Sequence, residues 1–230
     1  MEGLTAWVQQ LDVSKLLDMA VLAAACLGCI TFHELCHGLA ALALGDPTAK
    51  RMGRLSLNPI RHIDPVGLVL LLVARFGWAK PVPIDPRYFK NPKAGMAVTA
   101  LAGPVGNVVL AAAATVLWTV CYHFGWISGA AWLMTAADFF YYMIYLSVGL
   151  AVFNLLPIPP LDGSKVLAAV LPPKLYWKLM RYERYGMVLL AVLLMTGALD
   201  RPLDAMRGVL LGLMNPISAF VSRLIISLTI

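Results

Sequence analysis

The sequence predicts an all-α polytopic membrane protein with about five transmembrane helices, a re-entrant segment and a small membrane-associated β-hairpin or sheet. Three observations carry that expectation. Of 230 residues, 60% are hydrophobic and 13% charged, with mean hydropathy +0.79; a soluble domain is nearer half apolar and a quarter charged. A core cannot hide that much apolar surface, so the excess faces lipid. The apolar residues gather in runs approaching the ~20 residues a span needs. The positive charge gathers between those runs, with nine Lys or Arg from Lys50 to Lys93 and five from Lys165 to Arg184, out of eighteen.

The residues before the first run carry Glu2, Asp12, Lys15 and Asp18. A secretory signal needs a positive start, so the first helix, Met19–Leu44, is expected to stay and to deliver the chain to the cytoplasmic side. Asp46-Pro47 stops it, and Lys50–Leu57 reads as a hairpin around Gly53. Pro65–Trp78 is apolar but only about fourteen residues long, which suits a re-entrant segment. Ala79–Ile84, with Pro81 and Pro83, suits an edge strand.

Ala94–Val120 then crosses outward and Phe139–Leu156 crosses back, ended by Pro157-Ile-Pro159-Pro160. Gly186–Leu199 and Val209–Ile230 form a last hairpin through an external turn near Arg201-Pro202. Cytoplasmic loops collect Lys and Arg, so both basic stretches are expected there, with His123–Ala137 and Arg201–Arg207 outside. The net charge of +6 therefore reads as topology and argues against nucleic acid as a partner. Residues 1–230 form one domain, because no stretch between spans reaches the ~50 residues a domain needs. Cys26, Cys29, Cys36 and Cys121 lie in apolar helical sequence; Cys26-Leu-Gly-Cys29 has redox-pair spacing, but small polarizable residues between membrane helices explain it more simply.

The chemistry concentrates in His33-Glu34-Leu35-Cys36-His37. On a helix, positions i and i+4 project from one face, so two imidazoles can share a tetrahedral zinc ion, with Glu34 placed to take a proton from the attacking water. Ionisable residues inside a membrane helix are costly and mark function. A catalytic zinc has three protein ligands and an open position. Candidates for the third are His62, His123, Cys29, Cys36, Asp64, Asp85, Asp138 and Asp162. Asp162 is the strongest, since it follows the helix that returns to the cytoplasmic side and precedes Gly163, which permits close approach. As an alternative it could simply cap the next helix. His62, with Asp64, could orient a zinc ligand or cap short strands.

Together with His33–Gly38, the runs Leu57-Asn58-Pro59, His62–Gly67, Ala79–Pro83, Ala102-Gly103-Pro104-Val-Gly-Asn107 and Asn154–Gly163 resemble the site-2 protease family of zinc intramembrane metalloproteases. The likeness is to its short bacterial branch, without PDZ or CBS modules. That resemblance implies one Zn2+ held by His33, His37 and Asp162, and Glu34 as general base. It also implies that Asn107 supports the oxyanion or substrate backbone. The expected substrate is a transmembrane segment of another membrane protein, in the bacterial inner membrane, with the active site toward the cytoplasm.

A helical substrate must unwind to expose a scissile amide. We expect it to add as a strand to the segment bearing Trp78, Lys80, Val82 and Ile84. Two other classes are a non-proteolytic homologue that sequesters partner helices, and a zinc transporter. The intact His33, Glu34, His37 and Asp162 set argues against the first. The clustering of polar residues near one face, not through the membrane thickness, argues against the second.

Overall fold

The computed structural model describes residues 13–64, 80–172, 175 and 185–229. Within them the chain forms α1 (Val13–Ala43), a helical turn α2 (Thr48–Arg51), 3-10 turns at Pro59–His62 and Pro86–Tyr88, α3 (Pro92–Ser128), α4 (Ala131–Asn154), α5 (Asp162–Val170), α6 (Gly186–Met195) and α7 (Asp200–Thr229). The helices α1, α3, α4 and α7 are long and apolar enough to cross a membrane.

Local chemistry explains the boundaries. Asn91 caps α3 by accepting from the Ala94 N–H at 3.1 Å, with Pro92 in the first turn, where its missing N–H costs nothing. Gly129, at φ +67°, ends it, a left-handed conformation that glycine adopts without strain. Small residues let the long helices approach closely. Ala25 and Cys29 of α1, Ala111 and Ala114 of α3, and Val148 and Val152 of α4 are buried together. The Cys29 thiol sits 3.1 Å from the Ser147 hydroxyl, and all four cysteines are free. Val105, Val109, Val209, Leu213 and Phe220 are exposed, as a lipid-facing surface requires.

Two expectations are corrected. The hairpin at Lys50–Leu57 is instead the turn α2 followed by Gly53 at φ +64°. It forms because the Asp46 carboxylate accepts from the Thr48 N–H at 2.9 Å and starts a helical turn. Among the described residues there is no β-sheet, and Lys80–Asp85 runs extended without a ladder. The re-entrant segment Pro65–Trp78 lies outside the described residues.

The last hairpin also differs. The helix expected over Gly186–Leu199 stops at Met195, and its ten residues extend only ~15 Å, half a bilayer core. Gly197, at φ +68°, turns the chain there. Arg201 and Pro202 then lie in the first turn of α7, not in an external turn. Gly149, near the C-terminal end of α4, faces the Arg207 side chain, while the Ser218 hydroxyl, farther along α7, bonds that of Thr119 at 3.0 Å. Helix α7 therefore runs antiparallel to α4, and Arg201–Arg207 lies at the same end of the bundle as Asn154, opposite His123–Ala137.

Candidate metal centre and active site

His33 and His37 project one helical turn apart from α1, ten residues or fewer before its end at Ala43, so the site lies up to ~15 Å inside the bundle. Their rings meet edge to face with centroids 4.6 Å apart. The His37 Nδ1 is 2.7 Å from the Thr99 carbonyl. A carbonyl only accepts, so Nδ1 carries the proton and the Nε2 lone pair points into the site, the tautomer a metal ligand needs.

Helix α3 can pass this close because of Gly103. A methyl group there would fall 2.5 Å from the His37 ring and 2.7 Å from that of His33. The turn Pro157–Leu161 brings in the third group, and Gly163 lets the start of α5 pack on the carbonyls of Leu155 and Leu156. Asp162, the first residue of α5, places its Oδ2 3.2 Å from His33 Nε2 and 3.0 Å from His37 Nε2. The two Nε2 atoms are 3.0 Å apart.

Those three atoms form a triangle close to one face of a tetrahedral zinc site, whose edges are about 3.3 Å for ligand bonds of ~2.0–2.1 Å. Two imidazole lone pairs and a carboxylate oxygen repel at this distance unless positive charge sits between them. Among the described residues this is the one group of three His, Cys, Asp or Glu side chains with metal-holding geometry. The donor set suits zinc and leaves a fourth position open. Burial pushes the Asp162 carboxyl up, but the adjacent His33 and His37 side chains and Lys165 outweigh it and hold the group well below the usual carboxylate range. Its other oxygen, Oδ1, is 3.4 Å from Lys165 Nζ, and its place at a helix N-terminus also favours the anion.

Glu34 shares a cavity of about 170 Å³ with His33, His37 and Asp162. At ~30 Å³ per liquid water, that holds a few water molecules. Pro81, Val82 and Ile84 form another wall, and the Val82 N–H donates to Glu34 Oε2 at 2.8 Å.

The other candidate ligands are engaged elsewhere or distant. The Cys29 thiol faces Ser147, Cys36 packs where Gly106 leaves room, Asp85 pairs with Arg87 at 2.7 Å, and His123 and Asp138 lie on the parts of α3 and α4 away from the site. His62 is 1% exposed, with Nε2 2.9 Å from the Ser56 carbonyl and its own carbonyl accepting from Lys80 N–H. It staples two loops together.

Asn107 is fully buried, and neither amide atom has a partner. It is not part of the cavity wall. Of the proposed docking residues, Val82 and Ile84 line the cavity, Lys80 does not, and Trp78 lies outside the described residues. Two residues that sequence reasoning gave no role, Asn154 and Lys165, do line it. The signal was available: Lys165 is three residues from Asp162 on α5, and Asn154 is a carboxamide at the C-terminal end of an apolar helix.

Comparison with known proteins identifies the family. The model of peptidase family M50 matches residues 120–196, a stretch that includes Asp162. YwhC of Bacillus subtilis is 43% identical over 166 residues, covering 72% of this chain and 76% of its own. Rip2 of Mycolicibacterium smegmatis is 31% identical over 212 residues, covering 86% and 77%. Both carry provisional zinc-metalloprotease names. No solved structure matches. The chain belongs to peptidase family M50, the site-2 protease family, and is a membrane-embedded zinc metallopeptidase.

Proposed function

We propose that this protein cleaves peptide bonds within or beside transmembrane segments of other membrane proteins, using His33, His37 and Asp162 to hold zinc and Glu34 as general base. The observation that carries the reading is the depth of the triangle. It lies inside a bundle of four apolar helices, where a substrate segment in the bilayer can reach it.

Zinc, when bound, acts as a Lewis acid that acidifies water and polarises a scissile carbonyl. The chain's own residues do the rest. Asp162 and the two histidines fix the metal position, the Thr99 carbonyl sets the His37 tautomer, and Glu34 takes the proton of the attacking water and passes it to the leaving amine. Substrate docks along Val82–Ile84. Pro81 and Pro83 have no amide hydrogen, and those of Lys80 and Val82 are engaged. This edge therefore offers mainly carbonyls, and the unwound substrate supplies the N–H groups.

The test compares membrane-protein fragments in cells expressing wild type or Glu34→Gln. Fragments that appear only with wild type are expected; an identical fragment pattern with both would remove the proteolytic reading.

The site is proposed to face the cytoplasm of a bacterial cell. Among the described residues, every Lys and Arg between positions 50 and 93, with Lys165, Arg201 and Arg207, lies at the site end of the bundle; Lys15 and Arg223 lie toward the other. Cytoplasmic flanks collect such charge. Cysteines introduced singly at positions 90, 129 and 201 should react with an impermeant thiol reagent in intact cells only at 129. Labelling at 90 or 201 would invert the orientation.

A further inference from the structure

Asp46 is 0% exposed, pairs with no cation among the described residues, and sits just past the C-terminal end of α1, where the helix dipole disfavours an anion. Three donors hold it there. Its Oδ1 accepts from the Thr48 N–H at 2.9 Å and from the Thr48 hydroxyl, which builds the local turn. Its Oδ2 reaches across the chain to the Asp85 N–H at 2.7 Å.

Asp85 ends the extended segment whose Val82 N–H is bonded to Glu34. Within Pro81–Asp85 only Val82, Ile84 and Asp85 have amide hydrogens. Two of those three are taken by carboxylates from α1 and its exit, three residues apart on the segment. Arg54 holds the segment's start, donating to the Lys80 carbonyl at 2.7 Å.

We infer that Asp46 is a positioning residue for the general base: through Asp85 it fixes the 80–85 segment so that the Val82 N–H holds Glu34 Oε2 in the cavity. The inference rests on Glu34 acting as base. A loose segment would leave that carboxylate to rotate among other rotamers, while the zinc ligands, on α1 and α5, stay in place.

Asp46→Asn separates the two roles of this side chain. A carboxamide has one acceptor oxygen, so it can keep the Thr48 turn or the Asp85 bond but not both. Thr48→Val removes one local bond and leaves the Asp85 bond intact. Both variants are compared with wild type as purified full-length protein, by hydrogen exchange over residues 80–85 and by kcat and KM on a transmembrane substrate.

For Asp46→Asn we expect exchange at Val82 and Asp85 to rise about 10-fold, the scale of one hydrogen bond to a charged group. We also expect kcat to fall about 10-fold, KM to stay within about threefold and zinc content to hold, while Thr48→Val matches wild type. Unchanged exchange, a rise in KM with kcat retained, or an equal kcat loss in Thr48→Val would overturn the inference. If Asp46→Asn does not fold, Asp85→Pro deletes the same hydrogen bond from the other side, and normal kcat in that variant would overturn it equally. Glu34→Gln tests the base itself, and full activity there would defeat that reading whatever the exchange data show.

Discussion

His33→Ala, His37→Ala and Asp162→Ala are each expected to take the purified protein from about one zinc per chain to near none, whereas Glu34→Gln keeps the metal. The three ligand atoms lie 3.0–3.2 Å from one another, so each contributes a comparable share of the hold. A protein zinc site is worth roughly 10–16 kcal/mol in all, and losing one ligand of three should weaken binding by at least ~10²-fold. Glu34 Oε2 is instead bonded to the Val82 N–H, and the glutamate is not in the metal-holding group. Elemental analysis after dialysis against a weak chelator reads the outcome directly. Full zinc in Asp162→Ala would move the third ligand elsewhere, and loss of zinc in Glu34→Gln would make that residue a ligand and leave the base unassigned.

Asn107→Ala is expected to keep zinc content and melting behaviour near wild type while cutting cleavage by at least ~10-fold, the modest end of losses for an oxyanion donor. By count from Ala94, Asn107 is expected near mid-membrane, so reaching the site calls for the helix to bend or shorten at Gly103-Pro104, or for water to reach that depth. The structure aligns their depths without a bend. Helix α3 continues through Pro104, and the site itself is deep. Thr99 meets His37, Gly103 meets His33 and His37, and Gly106 meets Phe32 and Cys36. This antiparallel register sets Asn107 at the level of Phe32 and His33.

A buried amide with both atoms unpartnered is costly, which is reason to look for what it serves. Three outcomes separate the roles. Lost cleavage alone supports the substrate role. Lost zinc would attach Asn107 to His33, whose Nδ1 is also buried without a partner. Lost stability alone would make it a packing residue.

Much of the fold was legible because its signals are local. Apolar runs of spanning length marked α1, α3, α4 and α7, since lipid burial depends on composition and length. Asn91-Pro92 and Gly129 punctuate α3 through their own backbone chemistry. The hairpin at Lys50–Leu57 misled because Gly53 is compatible with a strand turn or a helix exit, and the Asp46 side chain decides between them. The helix expected over Gly186–Leu199 misled at its C-terminal end, because Gly197, at positive φ, turns the chain just after Met195.

The sequence by itself determined the membrane environment and two positions of the candidate centre, because HExxH spacing on a helix puts His33 and His37 on one face whatever surrounds them. It also made Asp162 the strongest candidate for a third ligand. Only the tertiary structure decided that Asp162 meets both histidines, that Gly103 is the opening through which α3 reaches them, that Val82 holds Glu34, and that α7 starts at the site end. Each of these is a contact between residues far apart in the chain. Such contacts depend on how helices cross and loops close, which composition and periodicity do not encode.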